Sequence, residues 1–159
     1  RGGRPYPPDT LAELTILPGV HDTLEAFRRA GLKTIVVTNQ PDVATGRQKR
    51  ETVEAIHEFL LGVLAIDDIK ACFCVEGVDC ACYKPKPKML LDAAREWKID
   101  LSRSFMVGDR WRDIGAGQAA GCKTFFIDYG YKEQQPDHPD FVVESLREAG
   151  AIILNGQDL

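Results

Sequence analysis

Short apolar runs of strand length alternate with amphipathic helical stretches from Val20 onward, and this alternation limits the possible folds more than any other feature of the chain. Pro18 and Gly19 open a helix whose apolar positions Val20, Leu24 and Phe27 share one face, and Gly31 closes it. Leu32 to Val37 is a β-branched run suited to an interior strand, and Thr38-Asn39-Gln40-Pro41 is expected to end it abruptly. A second helix is predicted from about Lys49 to Leu64, with Val53, Ile56, Leu60 and Leu64 on one face. A strand-like stretch, Ile69 to Val75, then runs into a cysteine-rich loop. Met89 to Trp97 reads as helix, Phe105 to Val107 as strand, Ile114 to Ala120 as a small-residue helix and Lys123 to Ile127 as strand. Phe141 to Val143 and Ser145 to Ala149 give a last short strand and helix. Parallel strands need crossover connections, so the fold class is α/β: a mostly parallel, Rossmann-like sheet flanked by helices. Residues 1 to 17, with Pro5, Pro7 and Pro8, read as a lead-in loop. No repeat, low-complexity segment or linker interrupts the pattern, and residues 1–159 are expected to form one domain.

Composition removes several function classes. No apolar run approaches the roughly 20 residues of a membrane span. The net charge of −4 argues against a nucleic-acid or anionic-membrane partner. Within this acidic chain, Arg47, Lys49, Arg50, Lys84, Lys86, Lys88, Arg110 and Arg112 form a local reversal of sign that suits a small anionic substrate. A monomer is expected.

Ligands of open parallel sheets bind beyond the carboxyl ends of the strands, where the departing loops converge. The loops 38–47 and 108–113 both leave such ends. Thr38, Asn39 and Gln40 bring a hydroxyl and two amides, groups able to hydrogen-bond phosphoryl oxygens, although a polar strand end also forms ordinary turns. Asp109 and Asp113 stand one helical turn apart where a strand passes into a helix. Two hard oxygen donors so placed suit Mg²⁺, the plainer reading being a helix cap. Lys84 lies between tyrosine and proline in Tyr83-Lys84-Pro85-Lys86-Pro87-Lys88, on a backbone stiff enough to hold an ammonium in place.

Four of the five cysteines, Cys72, Cys74, Cys80 and Cys82, fall within eleven residues. Such crowding favours a closed tetrahedral Zn²⁺ site in the 72–82 loop, and with it a reducing, cytoplasmic compartment. Disulfides are the alternative, disfavoured where partners stand only two residues apart. Cys122, His21, His57 and His138 lack partner spacing for a site, and Phe125 and Phe126 read as core.

The order Thr38-Asn39, Lys84-Pro85, Gly108-Asp109 with Asp113 resembles motifs two, three and four of the haloacid-dehalogenase-like phosphatases. Ile16-Leu17-Pro18-Gly19-Val20, Val36-Val37-Thr38-Asn39-Gln40, Cys80-Ala81-Cys82-Tyr83-Lys84-Pro85-Lys86-Pro87 and Met106-Val107-Gly108-Asp109 look like its heptose-bisphosphate and histidinol-phosphate branch. The resemblance spans nearly the whole chain. It implies a phosphoric monoester hydrolase acting through an aspartyl-phosphate, with a heptose 1,7-bisphosphate as substrate and histidinol phosphate as the rival. Asp109 would ligate Mg²⁺ with Asp113 supporting or joining it. Lys84 would neutralise phosphate and nucleophile, Thr38 and Asn39 would bind the transferring group, and Gln40 and Arg110 would line the substrate site. Like-charge repulsion between a carboxylate and a phosphate dianion is about 4 kcal/mol per charge pair at 4 Å and an effective dielectric near 20, or roughly a thousandfold in rate, so the chemistry needs these cations.

The chain departs from that branch in several places. The family's first motif, a strand ending in Asp-x-Asp, has no counterpart, and Asp137 and Asp140 are three apart and follow no strand. The nucleophile and its strand are therefore expected upstream of Arg1, and the chain alone is expected to be inactive and marginally folded. The branch commonly has His at the place of Cys74, Arg at Tyr83 and Gly at Lys88. A phospho-acceptor receiver domain also combines carboxylates, a hydroxyl and Lys-Pro, but it places its acidic residues first and has no cysteine loop. A zinc-stapled binding protein without catalysis is the third reading.

Overall fold

The computed structural model describes residues 10–156. Its elements are α1 (Val20–Arg29), β1 (Ile35–Asn39), α2 (Pro41–Ala44), α3 (Arg50–Val63), β2 (Asp68–Cys72), α4 (Lys88–Trp97), β3 (Phe105–Gly108), α5 (Trp111–Ala120), β4 (Lys123–Ile127), β5 (Phe141–Val143) and α6 (Leu146–Asn155). Short 3₁₀ turns cover Leu11–Glu13 and Leu101–Arg103. The α/β class stands, and every pair of neighbouring strands is parallel.

The strands form two sheets rather than one. β1 pairs with β2, and β3, β4 and β5 pair in that order. β1 and β3 are not hydrogen-bonded to each other. Their seam opens, at the amino-terminal ends of both strands, into a cavity of about 350 Å³ lined by Phe27, Leu32, Trp97, Phe105 and Ile153.

The main core lies between the three-stranded sheet, α1 and α6, where Leu24, Phe27, Phe125, Ile127, Val143, Ala149 and Ile153 are buried. Phe125 is fully enclosed; it stacks on Phe141 with ring centroids 4.5 Å apart and meets Phe105 edge-on at 5.9 Å. Phe126 is buried as well, so both aromatics are core as expected. Smaller clusters sit under the cysteine loop, around Cys72, Cys80 and Met89, and beneath α5, around Leu90, Met106 and Ala116.

Three local expectations need correction. Thr38 and Asn39 do not break β1: they pair with Ala71 and Cys72, and the Gln40 amide still donates to the Cys72 carbonyl at 2.7 Å. The ladder to β2 holds polar residues in extended form that propensity alone would release. Pro41 then starts α2, its fixed φ and missing N–H suiting a first helical position. The lead-in read over residues 1–17 contains the 3₁₀ turn at Leu11–Glu13, and residues 1–9 lie outside the described part. The last helix continues beyond Ala149 to Asn155, capped by the Ser145 hydroxyl, which accepts from the Glu148 amide at 3.0 Å.

Candidate active site

The carboxyl ends of β1 and β3 bring most of the expected residues together. Lys84 is buried, at 7% exposure. Its ammonium donates to the Val37 carbonyl of β1 at 2.9 Å and to Asp113 Oδ1 at 2.5 Å. The Asn39 side chain does not point to open space. Its Oδ1 accepts from the Lys84 amide at 3.0 Å and its Nδ2 donates to the Lys84 carbonyl at 3.3 Å, a two-point clamp on the segment that carries the lysine. The Lys84–Pro85 peptide is cis.

Asp113 has both oxygens engaged: Oδ1 with Lys84, and Oδ2 accepting from the Arg110 amide at 3.1 Å. It is thus a helix cap and a buried counter-ion together, reached because nothing but glycine fits at the end of β3. A Cβ on Gly108 would fall 2.3 Å from the Asp113 Cβ. Gly115, within α5, does the same: a Cβ there would meet the Pro85 Cβ at 2.8 Å, so α5 packs closely on Pro85.

Asp109 is half-buried beside this pair. Burial, and then the charge of Asp113, push its carboxyl above the ordinary carboxylate range. The Tyr131 hydroxyl donates to Asp109 Oδ2 at 2.9 Å, and Glu133 takes the Arg110 guanidinium, Nε to Oε1, at 2.7 Å. Burial and the Asp109 charge raise the Tyr131 phenol well above its usual range, so it stays a donor. Thr38 Oγ1 accepts from Gln40 Nε2 at 3.0 Å, which ties those two residues to each other at the end of β1.

Sequence reasoning missed Tyr131 and Glu133. The signal was present, since the segment after Ile127 also leaves the carboxyl end of a strand and belongs to the same edge. The cluster of basic residues is largely partnered. Lys88 pairs with Asp92 at 2.5 Å, Arg112 with Glu76 at 2.8 Å and Arg50 with Glu54 at 2.9 Å. Lys86 donates to the Gly77 and Cys80 carbonyls, bracing the cysteine loop. Arg112 also lies over the Trp111 and Tyr83 rings, at 4.5 and 5.7 Å.

The sulfurs of Cys72, Cys74, Cys80 and Cys82 all lie within 4.8 Å of one another. Four of the six separations run from 3.3 to 3.8 Å. A tetrahedron with metal–sulfur bonds of about 2.3 Å has edges of about 3.8 Å, so the donor set fits a closed four-thiolate metal site. The remaining pairs, Cys72 with Cys82 and Cys74 with Cys80, approach most closely, with Cα separations of 5.7 and 6.1 Å, so the same four sulfurs can form two disulfides when oxidised or one metal site when reduced. The loop folds back, so that cysteines ten and six residues apart meet. Cys122 stands apart, half-buried, its thiol pushed up by burial. No helix among the described residues is long and apolar enough to cross a membrane.

A model of the family described as haloacid dehalogenase-like hydrolase matches residues 9–121. The D-glycero-beta-D-manno-heptose-1,7-bisphosphate 7-phosphatase of Rhodopseudomonas palustris is 36% identical over 128 residues, which cover 73% of this chain and 71% of that protein. The protein of the same name from Mesorhizobium japonicum is 31% identical over 159 residues, covering 92% and 71%. Among solved structures, the D,D-heptose 1,7-bisphosphate phosphatase of B. bronchiseptica, in complex with magnesium and phosphate, superposes with a TM-score of 0.77 at 28% identity and covers 92% of this chain and 88% of that one.

Proposed function

Because the chain belongs to the haloacid dehalogenase-like hydrolase family, we propose that it serves a Mg²⁺-dependent phosphatase activity toward a small sugar phosphate, a heptose 1,7-bisphosphate first among candidates. The observation that carries this reading is the buried Lys84–Asp113 pair, clamped by Asn39 and set beside Asp109. A buried ion pair is costly to maintain, and a buried lysine held by both β1 and α5 is more than is needed merely to fill a core.

Asp109 is the carboxylate fitted to hold Mg²⁺, whose positive charge would offset the phosphate's own. Asp113 acts from behind, holding Lys84 in place, and Lys84 offers a fixed ammonium to the phosphoryl group. The polar end of β1, with Thr38 and Gln40, faces the same edge and suits the transferring oxygens. The seam between β1 and β3 has the position a further strand would take. A strand there ending in Asp-x-Asp would supply the nucleophile that forms the aspartyl-phosphate and the acid that protonates the leaving group. Zinc in the cysteine cluster would stiffen the loop that delivers Lys84 two residues after Cys82, and implies a reducing compartment.

Two assays test the reading. Calorimetry with inorganic phosphate should show Mg²⁺-dependent binding that Lys84→Met abolishes. Phosphate release by the chain extended upstream of Arg1 should then favour heptose 1,7-bisphosphate over histidinol phosphate. Phosphate binding that ignores both Mg²⁺ and Lys84 overturns the assignment. A preference for histidinol phosphate overturns only the choice of substrate.

A further inference from the structure

We propose that Tyr131 sets the cation preference of the site by occupying one oxygen of Asp109 and so favouring one-oxygen ligation, an inference that rests on the reading of Asp109 as the Mg²⁺ ligand. The phenol comes from the segment between β4 and β5 and donates to Asp109 Oδ2 at 2.9 Å. Tyr131 is half-buried, its ring braced against Tyr129 with centroids 5.8 Å apart. The same segment is anchored a second time where Glu133 grips Arg110, the residue after Asp109. Gly130 turns the chain between the two tyrosines, its amide donating to Asp128 Oδ1 at 2.9 Å. The hydroxyl is therefore held by a built segment.

Cation chemistry gives this bond its consequence. Mg²⁺ is small and takes near-octahedral, one-oxygen carboxylate contacts, whereas Ca²⁺ takes six to eight oxygens and readily uses both oxygens of one carboxylate. With Oδ2 accepting from the phenol, Oδ1 is the less encumbered oxygen of Asp109, which serves Mg²⁺ well and weakens the second contact that Ca²⁺ would take. Asp113 cannot compensate, since Lys84 and the Arg110 amide already hold both of its oxygens. Tyr131 is thus a positioning residue acting through Asp109.

The test uses the whole chain with Mn²⁺ as a paramagnetic probe, displaced in turn by Mg²⁺ and Ca²⁺ and read by electron paramagnetic resonance. The wild-type protein should favour Mg²⁺ over Ca²⁺. Tyr131→Phe, which keeps the ring, should shift the Mg²⁺/Ca²⁺ ratio toward Ca²⁺ by about tenfold, the scale at which partners behind a ligand act. Glu133→Gln loosens the same segment but leaves the phenol able to donate to Asp109, and should shift the ratio much less than Tyr131→Phe does. An unchanged ratio in Tyr131→Phe overturns the proposal, as does an equal shift in Glu133→Gln, which would make segment order the cause. Mn²⁺ binding indifferent to Asp109→Asn removes the Mg²⁺ reading itself, and this proposal with it.

Discussion

The side-chain amide of Asn39, the last residue of β1, grips the main chain of Lys84, 45 positions along the chain, at both its N–H and its C=O. Asn39→Ala removes a donor and an acceptor from a half-buried backbone at once. It should lower stability by about 1–3 kcal/mol, the range for stranding partly buried polar groups. Asn39→Asp keeps the acceptor for the Lys84 amide and should lose less. Urea unfolding compares the two, and equal midpoints for wild type and Asn39→Ala would show that the clamp carries no stability.

The Lys84–Asp113 pair predicts a strong asymmetry between single and double replacement. Each side chain is 9% exposed, so removing one leaves the other charge buried and uncompensated. Asp113→Ala should cost about 3–5 kcal/mol. The double variant Lys84→Met, Asp113→Leu should recover most of that loss, because a buried ion pair is often matched by apolar groups of similar size. Phosphate binding should vanish in both. A double variant as unstable as Asp113→Ala would mean that the pair contributes more than mutual neutralisation.

Most of the element order was legible because the apolar periods are clean. Lys123–Ile127 and Phe141–Val143 were read to the residue, and α1 and α4 to within one. What escaped depends on contacts between distant segments. Asn39 reads as a loop donor until β2 pairs with it, and only the folded chain shows its amide spent on Lys84. Asp113 was weighed as a cap or as a metal ligand, and the structure makes it a cap that also faces a buried lysine. Tyr131 sits 22 residues after its partner Asp109, a distance no local pattern spans. The cysteine cluster was the most readable part of the site, since close spacing in the chain left little room to scatter the sulfurs.

Metal analysis of the reduced protein should find one zinc per chain, held by Cys72, Cys74, Cys80 and Cys82. Cys74→His should retain it, because imidazole completes a tetrahedral set as well as thiolate does, whereas Cys74→Ala should lose it. Chelation should lower the thermal midpoint and weaken phosphate binding together, since the loop leads directly into Lys84. Zinc loss that leaves phosphate affinity intact would separate the loop from the site. Thiol titration gives the companion result: the isolated, half-buried Cys122 is the one cysteine expected to react while zinc stays bound.

Asp109 gives a pH dependence whose sign follows from its surroundings. Burial and the Asp113 charge raise its folded-state carboxyl above the ordinary value of about 3.9. Between the ordinary and the raised value the native state holds more protons than the unfolded chain, so stability falls as pH rises through that window. Above it the full penalty of an ionised, buried carboxylate is present; below it there is none. Asp109→Asn should therefore be more stable than wild type at neutral pH, its amide oxygen still accepting from Tyr131. That advantage should shrink on acidification and disappear below the ordinary carboxylate range. Saturating Mg²⁺ should reverse the order at neutral pH, because only the carboxylate binds the ion and gains from it. Unfolding midpoints across a pH series, with and without Mg²⁺, check both steps. An advantage of Asp109→Asn that stays constant with pH would show that the carboxylate's charge is not what burdens the native state.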